Sequence, residues 1–279
     1  MSVFRIAAAQ TGSVKGDIPA NVATHAAMAE LAGRRGVTYL LFPELGLTGY
    51  EPELAAELAM MPDDTRLAPL RNTAQKHGML IVAGAPLRVE DTLSREDTSS
   101  SEDTSPRADE ATPERDGAAG KPRIASFIFR PDGSIGVYAK IHLHSTEEAH
   151  FSAGSEHVLE PCHGEQVGVT ICADLSNPAH AATYKGMGAT VYAASVLVSE
   201  NGYAADAAIL ADRAKEHGLL VLMSNHNKPS GGWNSGGRTA IWTPDGQYHA
   251  AGAKEDALVV AERDGDGWKI TVEVMAPLP

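Results

Sequence analysis

The chain has 279 residues, 43% of them hydrophobic but only 5% aromatic, so a sizeable core must be filled mainly by aliphatic and alanine side chains. Its 23 Lys and Arg face 36 Asp and Glu, a net charge of −13. That balance argues against nucleic acid and anionic membrane surfaces as main partners, since both call for a basic footprint. No run of about 18 apolar residues occurs, so no membrane span is expected. Two cysteines, Cys162 and Cys172, do not make a disulfide framework and suit a reducing compartment. The N-terminal MSVFRIAAAQTG lacks the long apolar core of a secretory signal and reads as a short strand. A cytoplasmic location is the resulting expectation.

Along the chain, four helix-like stretches end in Gly and run at once into an aliphatic strand: GVTYLLFPE (36–44), GMLIVAGA (78–85), GATVYAAS (188–195) and GLLVLMSN (218–225). Gly after Arg35, His77 or His217 suits a helix C-terminus, where a left-handed residue ends the helix and a cation meets its dipole. The strands are unbroken apolar runs, as expected for strands covered on both faces. After the second of them, residues 90–116 hold ten acidic and three basic residues, a net of −7. This segment has too little apolar surface to offset its ordering entropy. It reads as an exposed, disordered insertion between two strands, at about 90–121, with a regulatory or partner-binding segment as the alternative.

RIASFIFR (123–130), Pro131-Asp132-Gly133 and SIGVYAKIHLH (134–144) form a strand–turn–strand signal. QVGVTIC (166–172) is another buried strand, Pro244-Asp245-Gly246 joins TAIW to QYHAAG, and ALVVAER and WKITVEV make a last pair. The sum is a mixed α/β chain whose helices cover sheet faces, taken as one domain over 1–279.

In α/β proteins ligands gather beyond the carboxyl ends of strands. Three such ends carry reactive groups: Glu44 closes GVTYLLFPE, Lys140 follows SIGVYA, and Cys172 closes QVGVTIC. A carboxylate to take a thiol proton, an ammonium to favour the thiolate and meet an oxyanion, and the thiol itself form a coherent set. Taken singly, each also has an ordinary explanation: a surface carboxylate, a solvated cation, a small buried hydrophobe.

FPELGLTGY (42–50), YAKIHLH (138–144) and VTICADLSNP (169–178) resemble the three signature segments of the nitrilase superfamily of carbon–nitrogen hydrolases, in the family's order of Glu, Lys and Cys. Flanking segments extend the resemblance over nearly the whole chain, from RIAAAQTG through DRAKEH and SNHNK to SGGRTAIWTPDG. It implies a four-layer α–β–β–α sandwich with two mixed sheets. It makes Glu44 the general base, Lys140 the oxyanion stabiliser, Cys172 the nucleophile, and the Ala173 N–H the second oxyanion donor. A further family glutamate corresponds to Glu147, with Glu148 as the alternative. The implied activity is hydrolysis of a small linear amide or N-carbamoyl compound through a thioester, with no metal or organic cofactor. The implied partners are a small-molecule amide and other copies of the chain, as a homodimer or larger assembly.

Cys172 followed by Ala173 and Asp174 resembles the amidase branch more than the nitrile-cleaving one. Nitrile hydrolysis, glutamine amidase activity (FPELGLTGY is similar to the glutaminase part of NAD synthetases) and a catalytically silent binding protein of the same fold are the competing readings. The sequence departs from the family where an aromatic usually follows the nucleophile (Ala173), where Glu usually follows the proline (Ala179), and where Asn usually ends the Arg-Ala-x-Glu segment (His217).

His142 and His144 alternate along an expected strand, with His150 and His163 close in sequence, a pattern zinc ligands sometimes show. The Glu–Lys–Cys reading already accounts for the segment, and His142 is expected instead to make a structural hydrogen bond beneath the site. Cys162 is read as an incidental thiol. The glycine-rich SGGWNSGG (230–237) reads as a loop at the pocket rim, with Trp233 placed to meet substrate or solvent.

Overall fold

Alternate residues of strand β1 (Arg5–Gln10) face two different cores. Ile6 and Ala8 point into one and Ala7 and Ala9 into the other, the period of two that a strand covered on both faces requires. The computed structural model, which describes residues 4–89 and 120–275, repeats this in two sheets. The remaining strands are β2 (Tyr39–Leu41), β3 (Leu80–Leu87), β4 (Arg123–Phe129), β5 (Ile135–Ala139), β6 (Leu159–Cys162), β7 (Glu165–Ile171), β8 (Val191–Val196), β9 (Leu220–Asn225), β10 (Ala240–Trp242), β11 (Tyr248–Ala250), β12 (Ala257–Asp264) and β13 (Gly267–Val274). One sheet runs β13-β12-β1-β2-β3-β4-β5 and the other β11-β10-β9-β8-β7-β6. Both are mixed. β1, β2 and β3 are parallel, as are β7, β8 and β9, and antiparallel strands flank each set.

Between the sheets lie Ile6, Leu41, Val82 and Ile128 from the first, against Val169, Ala193 and Leu222 from the second. Each large aliphatic side chain taken from water here contributes about 1.5–3 kcal/mol. Helices α1 (Ile18–Arg34) and α3 (Ala68–His77) cover the outer face of the first sheet through residues such as Val22, Met28 and Leu70. Helices α4 (Pro178–Gly186) and α5 (Tyr203–His217) cover the second through Tyr184 and Leu210. A short helix, α2 (Ala55–Leu58), lies beside the β3 edge of the loop region. The result is the expected four-layer α–β–β–α sandwich.

The Gly signals end helices as read. Gly78 and Gly218 cap α3 and α5 with φ of 63° and 61°, a region that costs other residues energy. The acidic segment 90–116 lies in the chain between the paired strands β3 and β4 and falls outside the described residues. Among the described residues no helix is long and apolar enough to cross a membrane.

Two expectations about strand ends need correction. β5 stops at Ala139 instead of running to His144. Lys140 N–H makes the last bond to β4, at Ile124 O, and the Ile141 and His142 N–H groups then turn to the Asp174 carboxylate. His142 and His144 therefore do not share a strand face. Likewise β7 ends at Ile171, and Cys172 opens a 3-10 turn (Cys172–Ser176).

The two sheets are tied together near the carboxyl ends of their parallel strands. Ser195 Oγ on β8 donates to Phe42 O beyond β2 at 2.8 Å, and Ser224 Oγ on β9 donates to Ala9 O on β1 at 2.6 Å. This is the end at which Glu44 and Cys172 emerge.

Candidate active site

Glu44 follows β2 by way of Phe42 and Pro43, and the next residue, Leu45, has φ of 50°. This tight exit is fixed from outside: Gly46 N–H bonds Pro43 O, Leu47 N–H bonds Gly84 O, and a ring nitrogen of His226 lies 2.7 Å from Glu44 O. Lys140 is held by its backbone at both ends, its N–H on Ile124 O and its carbonyl accepting from Gly154 N–H at 2.7 Å. Its ammonium donates to Glu44 Oε1 and to Glu147 Oε1, each at 2.7 Å. All three side chains are buried, with exposures of 0%, 0% and 1% for Lys140, Glu44 and Glu147. Glu147 is fixed further by the Tyr50 hydroxyl on Oε1 and the His144 N–H on Oε2, both at 2.8 Å. Glu148, the alternative, is exposed.

Cys172 sits at the strand-to-turn corner with φ of 38°, a strained value for a residue with a Cβ. Such a corner lifts a side chain out of the sheet toward an opening. Its Sγ lies 3.8 Å from Leu197 O, the carbonyl to which the thiol donates. The Ala173 N–H lies in the first turn, where no carbonyl stands behind it, and makes no hydrogen bond among the described residues. Cys172, Ala173, Glu147 and Tyr50 line one cavity of about 240 Å³, and Trp233, 41% exposed, stands at its rim.

The electrostatics of the trio follow from burial. Loss of water pushes the Glu44 carboxyl up, Lys140 pulls it back, and Glu147 pushes it up again, leaving it at about 7. Burial alone would lower the Lys140 pKa, but Glu44, Cys172 and Glu147 override it and keep the ammonium charged. Tyr50 is pushed well above the usual phenol range by burial and the two glutamates, so it stays a neutral donor. Burial, with the Glu44 charge added to it, raises the Cys172 thiol well above its usual value, and Lys140 only partly offsets them. The sequence reading has an ammonium that favours the thiolate. Lys140 does act in that direction, but burial and Glu44 act against it and outweigh it. Glu44 Oε2 is buried without a hydrogen-bond partner, the oxygen left over to receive a proton.

Asp174 does not face the cavity. Fully buried, it accepts from the Ile141, His142 and Ile171 N–H groups and from the Tyr138 hydroxyl at 3.2, 2.8, 3.0 and 2.6 Å. One carboxylate thus clamps the turn after Cys172 to the segment after Lys140. His142 leans on it through Nδ1 at 3.1 Å and meets Asn177 through Nε2. His180 lies behind, held neutral by burial with a pKa of about 4. His142, Asp174 and His180 bring candidate metal-ligand atoms within 4.8 Å of one another, a different set from the His142–His144 pair. The Asp174 oxygens are already occupied by four donors, so the group is built as a hydrogen-bonded network. Asp174→Ala would strand three buried N–H groups and a phenol, and about 3 kcal/mol or more of stability should be lost. Urea denaturation midpoints compared with Asp174→Asn, which keeps one acceptor oxygen, check this.

Of the residues selected from sequence, Glu44, Lys140 and Glu147 meet directly, and Glu147 lines one cavity with Cys172 and Ala173. Cys162 lies apart, its thiol near Thr38 O and pushed up to about 11 by burial. Among the departures from the family pattern, only Ala173 borders the cavity. Ala179 is exposed on α4 and His217 ends α5. Tyr50 and His226 were not singled out from sequence. Tyr50 closes FPELGLTGY and His226 lies in SNHNK, so both stood inside segments already noted, but only the fold pairs them with residues 97 and 182 positions away.

A two-sheet sandwich with this pocket at its strand ends is the architecture of the nitrilase superfamily. The chain belongs to the carbon–nitrogen hydrolase family, whose sequence model matches residues 5–269. Among solved structures it is similar to a mutant of the amidase from Nesterenkonia sp. AN1 in complex with butyramide, with a TM-score of 0.76 and 22% identity, covering 95% of this chain and 92% of that one. It is equally similar to a form of that amidase showing covalent addition of the acetamide moiety of fluoroacetamide at the active site cysteine, with a TM-score of 0.76, 22% identity and coverage of 94% and 91%. At that identity the likeness shows the fold. It is also 26% identical over 198 residues, 69% of this chain, to the glutamine-dependent NAD(+) synthetase of Thermotoga maritima. The matched region spans 29% of the synthetase's length.

Proposed function

We propose that the protein is a cysteine-dependent amidohydrolase that cleaves a small linear amide or N-carbamoyl compound. The observation that carries this reading is the buried Lys140 ammonium held between Glu44 and Glu147, of which Glu147 lines the same cavity as Cys172. As Sγ attacks the amide carbon, its proton passes to Glu44. The oxyanion that forms is met by Lys140 and the Ala173 N–H, a contribution of several kcal/mol in a site that excludes water. Protonated Glu44 then gives its proton to the leaving nitrogen, the C–N bond breaks, and ammonia or an amine departs. A thioester remains. Water attacks it, Glu44 takes the water's proton and returns one to sulfur, and the acid leaves with the thiol restored. Glu147 orients the lysine throughout.

Ammonia release from a panel of amides, ureides, nitriles and glutamine tests the reading. Release from none of them, together with a Cys172 no more reactive than Cys162 toward iodoacetamide, overturns it. Glutamine belongs in the panel because of the likeness to the synthetase.

The pH profile carries its own expectation. Glu44 must start as the carboxylate, and its pKa is about 7. kcat/KM should therefore be level above that pH and fall about tenfold per pH unit below it. A limb near the ordinary carboxylate value would show that burial does not raise the titrating carboxyl, and a limb unmoved by Glu44→Asp would show that Glu44 is not that group. Because burial and Glu44 raise the Cys172 thiol, no ultraviolet thiolate band lost on Cys172→Ser should be seen at neutral pH.

A further inference from the structure

One carboxylate at the cavity has no part in this chemistry. Asp206 stands in the first turn of α5 and lines the same space as Cys172, Glu147 and Trp233. It is half-buried, and the sole influence on its carboxyl is burial, which raises it. No cation lies within ion-pair distance of it, and no donor bonds it, among the described residues. A helix N-terminus tolerates an acidic residue because of its dipole. That explains why Asp206 is compatible with α5, but not why the carboxylate is left unmatched at a pocket wall. Glu147, the other acidic group lining the cavity, is already neutralised by Lys140. No lysine or arginine lines the cavity to receive a substrate carboxylate.

We infer that Asp206 is a specificity residue that receives a cationic group, an ammonium or guanidinium, on the part of the substrate away from the scissile amide. This deepens the amidohydrolase reading and rests on it. A half-buried carboxylate gains most from a partner that brings its own hydrogen-bond donors. The cavity of about 240 Å³ has room for an amide and a cation joined by a few methylenes. An anionic amide meets an unmatched like charge.

The test compares γ-aminobutanamide, butanamide and succinamate, which differ in charge at similar size, with the full chain and its Asp206→Asn variant. The expected kcat/KM for the cationic amide exceeds that for the neutral one by on the order of 10- to 100-fold, the range of one charge-assisted hydrogen bond, with the anionic amide slowest. In Asp206→Asn the cationic-to-neutral ratio should collapse to within about threefold of one, chiefly through KM. A ratio near one in the unaltered protein, or an equal loss on all three amides in the variant, overturns the assignment.

A second measurement does not need turnover. Cys172 is labelled with aminoethyl and sulfonatoethyl methanethiosulfonate, each rate being normalised to glutathione and read on the Cys172 peptide by mass spectrometry. Preference for the cationic reagent that Asp206→Asn abolishes supports the subsite even if no amide is hydrolysed, an outcome that would reject the amidohydrolase reading alone. A preference that the variant leaves intact overturns the subsite.

Discussion

Cys172→Ala is expected to reduce amide turnover by about 10⁴-fold or more while leaving the fold in place, because no other group can form the covalent intermediate. Cys162 cannot substitute for it: that thiol is buried on another part of the molecule against Thr38. Stability should hardly fall, since the sulfur sits at a part-exposed cavity wall and donates only a long contact to Leu197 O. The backbone supplies a sharper control. With φ of 38°, position 172 favours glycine, so Cys172→Gly should be about 1 kcal/mol more stable than Cys172→Ala. Both should be inactive. Denaturation midpoints and ammonia release on the two variants separate strain held at position 172 from ordinary packing. Retained turnover in Cys172→Ala removes the cysteine from the reaction, and equal midpoints remove the strain.

The elements legible in the sequence are those whose signal is local. β2, β3, β8 and β9 are short aliphatic runs after a helix-ending glycine, and burial on both faces demands such runs. The β4–β5 hairpin turns where Asp132 Oδ1 accepts from Ser134 N–H and hydroxyl, as its turn residues imply. β6 was not legible, because Pro161 argues against a strand. It is tolerated there because β6 is the edge of its sheet, where a missing N–H leaves no ladder bond unmade. For the site, residue types at three strand ends were readable, and the family resemblance supplied their order. What the sequence could not convey is direction. Asp174, two residues beyond Cys172, turns away from the cavity and serves as a clamp, while Asp206, in a helix far along the chain, turns toward it. Both are acidic residues that follow an alanine, and only the packing of the 3-10 turn and the helix against the sheet distinguishes them. The balance of charge around Lys140 was less legible, because only the fold shows that Glu44 and Glu147 share its one ammonium.

Lys140→Met should remove both turnover and stability, and the two losses should respond differently to a second substitution. Without the ammonium, Glu44 and Glu147 face each other in a buried space, their Oε1 atoms having each stood 2.7 Å from the same nitrogen. Glu147 keeps the Tyr50 hydroxyl and the His144 N–H, whereas Glu44 keeps no such donors. The proton therefore goes to Glu44, whose carboxyl rises above its present value of about 7 and ceases to act as a base at neutral pH. On the proposed mechanism turnover should fall about 10³-fold or more, because the proposed oxyanion donor and base are lost together.

Removing one member of a buried ion group destabilises by about 3–5 kcal/mol, less whatever protonation recovers. A carboxyl whose folded pKa is raised above its unfolded value loses stability as pH rises through the folded value. The deficit of Lys140→Met against the unaltered protein should therefore widen between about pH 6 and about pH 9. Adding Glu44→Gln removes the buried charge. The double variant should regain most of the stability, lose the pH dependence of the deficit, and recover no activity. Urea denaturation at several pH values decides the matter: a deficit flat with pH, or a double variant no more stable than Lys140→Met, would mean that Glu44 is not the group whose charge Lys140 balances.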